Sequence, residues 1–326
     1  MQRASNLIKS SNDILILTHK NPDGDAVGSV LGLAQALEDM GKNVACFSKD
    51  IIPKVFEFLP KFSIIKNEII PARYDLIILL DCALFSRTGL NDIDEVASSF
   101  DNILIIDHHP QKEIKCDEKE NCVSIINSKA SSTAVLVYDL LKKMNISITK
   151  NIANCLLTGI FTDTGGFQHS NTDSRSLAAA AELMRKGSRV DKIAKNIFNS
   201  KSVSAIRLWG MALNRVETNP QTNMAVSYIS KKDIADLGAK EEDLSGLINL
   251  INTVSDAKFS LLLTEGENNK VRGSLRSEEY KGIDVSRIAR SLGGGGHKLA
   301  SGFELEGDLK NNVAKINEMI LKAREI

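Results

Sequence analysis

The sequence is short of the materials that several function classes require. It holds one Trp, four Tyr and eleven Phe among 326 residues, too few aromatic rings to line an extended base-stacking groove. It also lacks any charge excess, since 41 Lys and Arg stand against 41 Asp and Glu. Coating long nucleic acid needs a basic surface that displaces phosphate counterions, so that role is excluded, while a small basic pocket is not. No apolar run approaches the ~20 residues of a membrane helix, and the opening segment 1–10 has no signal-peptide core. The chain therefore reads as cytoplasmic, with no membrane partner. The five cysteines, Cys46, Cys82, Cys116, Cys122 and Cys155, are scattered, odd in number and without a C-x-x-C pair. That usage predicts reduced, mostly buried thiols. No internal repeat is visible, and the one low-complexity stretch is Gly293–Gly296.

What is present is the rhythm of an α/β protein. Short apolar runs at 14–17, 44–47, 76–80, 103–106 and 123–126 have the continuous character of strands covered on both faces. Between the first two lies a helical pattern over 26–40, with Gly41 where a C-terminal cap belongs. Strand, helix and strand in this order predict a mostly parallel sheet. From 131 to about 199 the pattern is helical, clearest at 134–141, 152–161 and 174–184. A strand pattern restarts at 224–229 after the polar turn 217–223. It is followed by a helix over 244–253, strands at 259–264 and 271–275, and helices over 284–292 and 310–324. At roughly 100–200 residues per domain the length suits two domains. The expectation is α/β: a parallel-sheet N-terminal metal domain over 1–187, a helical linker over 188–217, and a smaller α/β substrate-binding domain over 218–326.

Acids and histidines stand just beyond the carboxyl ends of the expected strands, where open α/β sheets place their ligands. His19, Asp23 and Asp25 follow the first strand, Asp81 follows the third, Asp107, His108 and His109 follow the fourth, and Asp163 lies in the segment 162–167. Any one of these acids alone is as well explained as a loop polar residue or helix cap, Asp25 as the cap of the helix that starts at Ala26. Together they are not. Three of five histidines fall in these loops, and four carboxylates converging on one sheet edge would repel unless cations neutralised them. Carboxylate oxygens with one or two imidazoles suit a pair of divalent ions such as Mn²⁺, one carboxylate bridging ions ~3.5–4 Å apart. In the second half, Arg272, Ser274 and Arg276 share one strand face by even spacing. Two guanidinium forks on one face suit a phosphate. The glycine run beside His297 suits close backbone approach to a phosphate or sugar.

His19-x-x-x-Asp23-x-Asp25, Asp81, Asp107-His108-His109 and Asp163-Thr164-Gly165 resemble, in order, the four motifs of the DHH phosphoesterase superfamily. The strand at 271–277, the run Gly293–Gly296 with His297, and Ala300-Ser301-Gly302 resemble the DHH-associated C-terminal domain. The length is most similar to the bacterial nanoRNase/pAp phosphatase subfamily. This resemblance implies His19, Asp23 and Asp81 on one metal, and Asp25, Asp81, His108 and Asp163 on the other, with Asp81 bridging. It also implies His109 near the scissile phosphate as proton donor or charge stabiliser. Arg272, Ser274, Arg276, Gly294, Gly295, Gly296 and His297 are the residues expected to bind substrate. Arg87 either reaches a phosphate or pairs on the surface, and His169 is either a contact or structural.

The expected function is divalent-metal hydrolysis of very short oligoribonucleotides to mononucleotides and of 3′-phosphoadenosine 5′-phosphate (pAp) to AMP. Two Mn²⁺ are the expected cofactors, with Mg²⁺ or Co²⁺ as substitutes. The partner is a small nucleotide or short RNA and no long nucleic acid, and a homodimer remains open. Rival readings are a cyclic di-AMP or pApA phosphodiesterase, an inorganic pyrophosphatase and a non-catalytic nucleotide sensor. The pyrophosphatase reading is disfavoured because its Ser-Arg-Lys-Lys-Gln motif is absent, and the sensor reading because a sensor has no need of hydrolytic metals.

Overall fold

The computed structural model describes residues 1–69, 73–90, 102–109, 122–198 and 201–323. The chain divides into two compact units, Met1–Ser200 and Lys201–Ile326.

The first unit opens with α1 (Gln2–Ser10), β1 (Asp13–Leu17), α2 (Gly24–Asp39), β2 (Asn43–Phe47) and β3 (Ile65–Lys66). It continues through β4 (Leu76–Leu80), β5 (Ile103–Asp107) and β6 (Cys122–Ile126). The strands form a sheet in the order β3-β2-β1-β4-β5-β6, each pair parallel. Continuous apolar runs become strands here because both faces are covered. Ile14, Ile16, Ile78 and Leu104 enter one core, and Leu15, Leu17, Ile77 and Ile105 enter another across the sheet. All five residues of β4 are fully buried, each contributing about 1.5–3 kcal/mol. Because β2 lies on one side of β1 and β4 on the other, the order of strand addition reverses at β1, and the crevice at that switch point is where such sheets bind ligands.

Helices α3 (Thr133–Lys143), α4 (Lys150–Asp163), α5 (Ser174–Arg185) and α6 (Val190–Phe198) complete the unit. Helix α2 packs against α4 with almost no separation. A Cβ on Gly28 would stand 2.4 Å from the Cys155 carbonyl oxygen, and one on Gly159 would stand 2.9 Å from Asp25 Oδ1. Only glycine permits this approach, which brings Asp25 of α2 beside the C-terminal end of α4 and Asp163. Cys46, Cys82 and Cys155 are buried free thiols, and burial pushes Cys82 and Cys155 up to about 12. Cys122 is disulfide-bonded, contrary to the expectation of reduced thiols throughout; Cys116 lies outside the described residues. No helix among the described residues is long and apolar enough to cross a membrane.

The second unit contains α7 (Val203–Asn214), β7 (Glu217–Asn219), β8 (Met224–Ile229), α8 (Lys231–Asp236), α9 (Leu247–Ile251) and β9 (Phe259–Glu265). After these come β10 (Lys270–Ser277), α10 (Val285–Ser291), β11 (Gly295–Gly296), β12 (Ala300–Glu306) and α11 (Leu309–Ala323). Its sheet runs β11-β12-β10-β9-β8-β7, with β8 and β9 parallel and the other pairs antiparallel. The helix expected over 244–253 shortens to Leu247–Ile251, because Gly246 takes φ +88° in front of it and the preceding turn, Glu241–Leu244, is 3₁₀. Residue 324, the expected end of the last helix, lies outside the described residues. Strand β12 is not among the expected strands, because Ala300, Ser301 and Gly302 carry no strand pattern. Phe303 lies opposite Gly273 and occupies the space a side chain there would need.

Candidate metal and phosphoryl site

Three strand ends and three helix ends build the site. Thr18 leaves β1 and donates to the Leu80 carbonyl at 2.9 Å, tying the loop that carries His19 to the end of β4. The cap of α2 is Asp23, not Asp25: its Oδ1 accepts from the amides of Asp25 at 3.0 Å and Ala26 at 3.1 Å. Asp25 is thereby left to reach α3, accepting from the amides of Thr133 at 2.6 Å and Ala134 at 2.9 Å. Asp81 sits at φ +57°, a left-handed conformation that a non-glycine residue holds at a cost of order 1–3 kcal/mol and that clusters at functional sites. Its Oδ1 accepts from Thr133 Oγ1 at 2.8 Å, while its buried Oδ2 has no hydrogen-bond partner among the described residues.

The imidazoles are turned by backbone carbonyls. His19 Nδ1 lies 2.6 Å from the Lys20 carbonyl and His108 Nδ1 lies 3.3 Å from that of Ala130. A ring nitrogen facing a carbonyl donates, so in the neutral ring Nε2 keeps its lone pair, as a metal-ligating histidine requires. These Nε2 atoms face the acids. His19 Nε2 is 3.5 Å from Asp81 Oδ2; His108 Nε2 is 3.9 Å from Asp25, 3.7 Å from Asp81 and 3.7 Å from Asp163. His109 differs. Its Nδ1 is 2.7 Å from Asp107 Oδ1, which also accepts from the His109 amide at 3.0 Å, and 3.4 Å from Asp81.

The charge balance is unfavourable to the acids. Burial, then Asp81 and Asp163, push the Asp25 carboxyl well up, and burial, then Asp23 and Asp81, do the same to Asp163. For Asp81 burial is outweighed by His109 and His19, which hold it well down. Burial of His109 is outweighed in turn by Asp107 and Asp81, raising it to about 10. Three sets of possible ligand atoms lie within 4.8 Å of one another: His19, Asp23 and Asp81; Asp25, His108 and Asp163; and Asp81, His108 and His109. Oxygen and imidazole donors around an orphaned carboxylate oxygen fit divalent ions.

Other expected residues are placed less uniformly. Arg87 is half-buried and its carbonyl accepts from the Lys20 amide at 2.9 Å, joining the loops after β4 and β1. His169 supports the site from behind, with Nδ1 3.2 Å from the Asp163 carbonyl and its ring against Gly165. In the second unit Arg272, Ser274 and Arg276 do share a face of β10. Arg272 is engaged by Glu241 at 3.2 Å and Glu304 at 3.4 Å. Among the described residues Arg276 is held by uncharged partners, Asn249 Oδ1 at 3.2 Å and the Leu275 carbonyl at 2.9 Å, and desolvation pulls its guanidinium down from the usual value. Within the glycine run, Gly294 abuts the Gly302 carbonyl and Gly296 takes φ +137° against Ser301, whereas Gly295 is open. The His297 carbonyl accepts from Ser301 Oγ at 2.7 Å. Asn171 was missed: its Nδ2 donates to the carbonyls of Ser131 at 3.0 Å and Asp163 at 3.2 Å and to Asp163 Oδ2 at 3.3 Å. A lone asparagine eight residues past an acid carries no signal in a single sequence.

Residues 13–160 match the DHH family, N-terminal domain, and residues 221–323 match the DHHA1 domain. The bifunctional oligoribonuclease and PAP phosphatase NrnA of Thermus thermophilus is 32% identical over 310 residues, covering 94% of this chain and 89% of that protein. The chain belongs to the DHH family. It is accordingly a hydrolase acting on phosphate ester bonds. This DHH protein is also 26% identical to NrnA of Bacillus subtilis, over 90% of the chain and 89% of that protein. A solved structure of an exopolyphosphatase-related protein from Bacteroides fragilis superposes with a TM-score of 0.89 at 29% identity, covering 99% of this DHH chain and 95% of that one.

Proposed function

We propose that the protein is a divalent-metal-dependent phosphoesterase that hydrolyses very short oligoribonucleotides to mononucleotides and pAp to AMP. The observation that carries this reading is the gathering of His19, Asp23, Asp25, Asp81, His108 and Asp163 into neighbouring groups of ligand atoms that meet at Asp81 and His108, with Asp81 Oδ2 lacking a hydrogen-bond partner among the described residues. The NrnA relatives, matched over nearly their whole lengths, support the substrate class. His19, Asp23 and Asp81 would hold one ion, and Asp25, Asp81, His108 and Asp163 the other, with Mn²⁺ as the favoured metal. Such a pair would supply an activated water near neutral pH and would neutralise charge on the phosphoryl oxygens.

The protein's own groups do the rest. Asp107 fixes the His109 ring through Nδ1 and keeps it protonated, so its remaining N–H is available to the phosphoryl group or the departing oxygen. Thr133 steadies Asp81, and Asn171 steadies Asp163. Arg87 and, in the second unit, Arg276, Ser274, His297 and the backbone of Gly294–Gly296 bind substrate phosphate and sugar; Arg272 joins them only by leaving its glutamates. A product profile on pAp, pApA, RNA of two to about twenty nucleotides and pyrophosphate, with and without Mn²⁺, tests the reading. Mn²⁺-dependent release of mononucleotides from di- to tetranucleotides and of phosphate from pAp is expected. Hydrolysis of pyrophosphate alone, or no metal-dependent turnover, would overturn it.

A further inference from the structure

A cavity of the first unit, about 290 Å³, opens at the surface between the amino-terminal part of α4 and the face of α6. Its lining is cationic. Lys150 and Asn154 stand one helical turn apart on α4, and Arg189, Lys192 and Asn196 line the other wall, with half-buried Phe58 as the apolar side. From 185 to 196 the sequence carries Arg185, Lys186, Arg189, Lys192 and Lys195 against the single acid Asp191, a local excess in a chain whose net charge is zero. Asp191 pairs with Arg189 at 2.6 Å on the exposed surface, an arrangement that water and salt weaken. Among the described residues no ion pair engages Lys150 or Lys192. In the loop between Gly187 and Arg189, the buried Ser188 hydroxyl has no hydrogen-bond partner among the described residues.

We infer that this cavity is a binding site for a phosphorylated small molecule of mononucleotide size, separate from the carboxylate cluster. Lysines, an arginine and two amides match a phosphate dianion, and Phe58 offers a flat wall to a base. The volume is at the lower end of the range for small-molecule sites, which suits one nucleotide and not a chain of them. Lys150 and Asp163 are at opposite ends of α4, so the two sites stand about 20 Å apart at 1.5 Å per residue. The occupant is therefore not the scissile part of a dinucleotide, and the inference is independent of what the carboxylate cluster hydrolyses.

The test uses the full chain in EDTA, with AMP and inorganic phosphate as probes and calorimetry as the readout. AMP is expected to bind the wild type, and to bind Lys150→Glu/Lys192→Glu at least tenfold more weakly, while Mn²⁺-dependent hydrolysis of bis-p-nitrophenyl phosphate by that variant is unchanged. Lys150→Gln/Lys192→Gln serves if the charge reversal does not fold. Phe58→Ala should weaken AMP and leave inorganic phosphate as it was. Retention of AMP affinity within twofold in the lysine variants, or no binding to the wild type in EDTA, would overturn the site. Equal affinity for AMP and phosphate, insensitive to Phe58, would overturn its nucleotide assignment.

Discussion

The strand ends of the first unit crowd carboxylates that their histidines offset only in part, whereas β10 of the second unit pairs most of its charge with glutamates. Around Asp81, burial and neighbouring carboxylates push Asp25 and Asp163 up, the Nε2 atoms of His19 and His108 face the acids, and Asp81 Oδ2 has no hydrogen-bond partner among the described residues. On β10, Arg272 has already found Glu241 and Glu304, and Lys270 has found Glu304 at 2.6 Å. Among the described residues, the Arg276 guanidinium has no charged partner. Unsatisfied groups, more than charged ones, mark where a ligand acts, because an interior that leaves them unpaired is costly unless something else completes it.

The sharpest way to break this contrast is Asp81→Ala. Losing the residue shared by both ligand sets should lower hydrolysis of a dinucleotide by roughly 10³-fold or more, measured as Mn²⁺-dependent kcat/KM. His109→Ala should cost about 10²–10⁴ in kcat with metal content kept, while His108→Ala should lose metal; elemental analysis of both separates the roles. Within the second unit, Arg276→Ala should raise KM for di- to tetranucleotides roughly tenfold, about 1.4 kcal/mol. Arg272→Ala should raise it by about twofold or less, since an exposed paired arginine contributes little. Steady-state kinetics that ranked Arg272 above Arg276 would contradict the contrast.

The smallest effect is on stability. The folded protein raises His109 to about 10 from 6.5, so the stabilisation is complete below about 6.5 and is lost as pH rises toward 10. Raised Asp25 and Asp163 act in the same direction, beginning lower, above the ordinary carboxylate value of 3.8. Asp81, held down, acts oppositely but only at and below that value. The Tm of metal-free protein in EDTA is expected to fall by several degrees between pH 6.5 and 9, and His109→Gln should flatten that slope.

The parallel sheet and the acids at its strand ends were legible because both depend on local pattern: a β-branched run covered on two faces, and a polar residue immediately after it. Gly41, at φ +81° after α2, was legible for the same reason. The remainder depends on contacts distant in sequence. That Asp23 caps α2 and Asp25 reaches Thr133, 108 residues on, follows from the close packing of α2 on α4 at Gly28 and Gly159, which no helical spacing announces. Asn171 acts through the fold of the segment after α4. The glutamates that occupy Arg272 come from the 3₁₀ turn before α9 and from β12, the strand whose small residues concealed it.

Equilibrium dialysis of Mn²⁺ against the wild type, Asp163→Ala and Asp81→Ala tests the shared-ligand account most directly. Two tightly held ions per chain are expected in the wild type, about one in Asp163→Ala and none in Asp81→Ala. Two tightly held ions in Asp81→Ala, or fewer than two in the wild type, would contradict it.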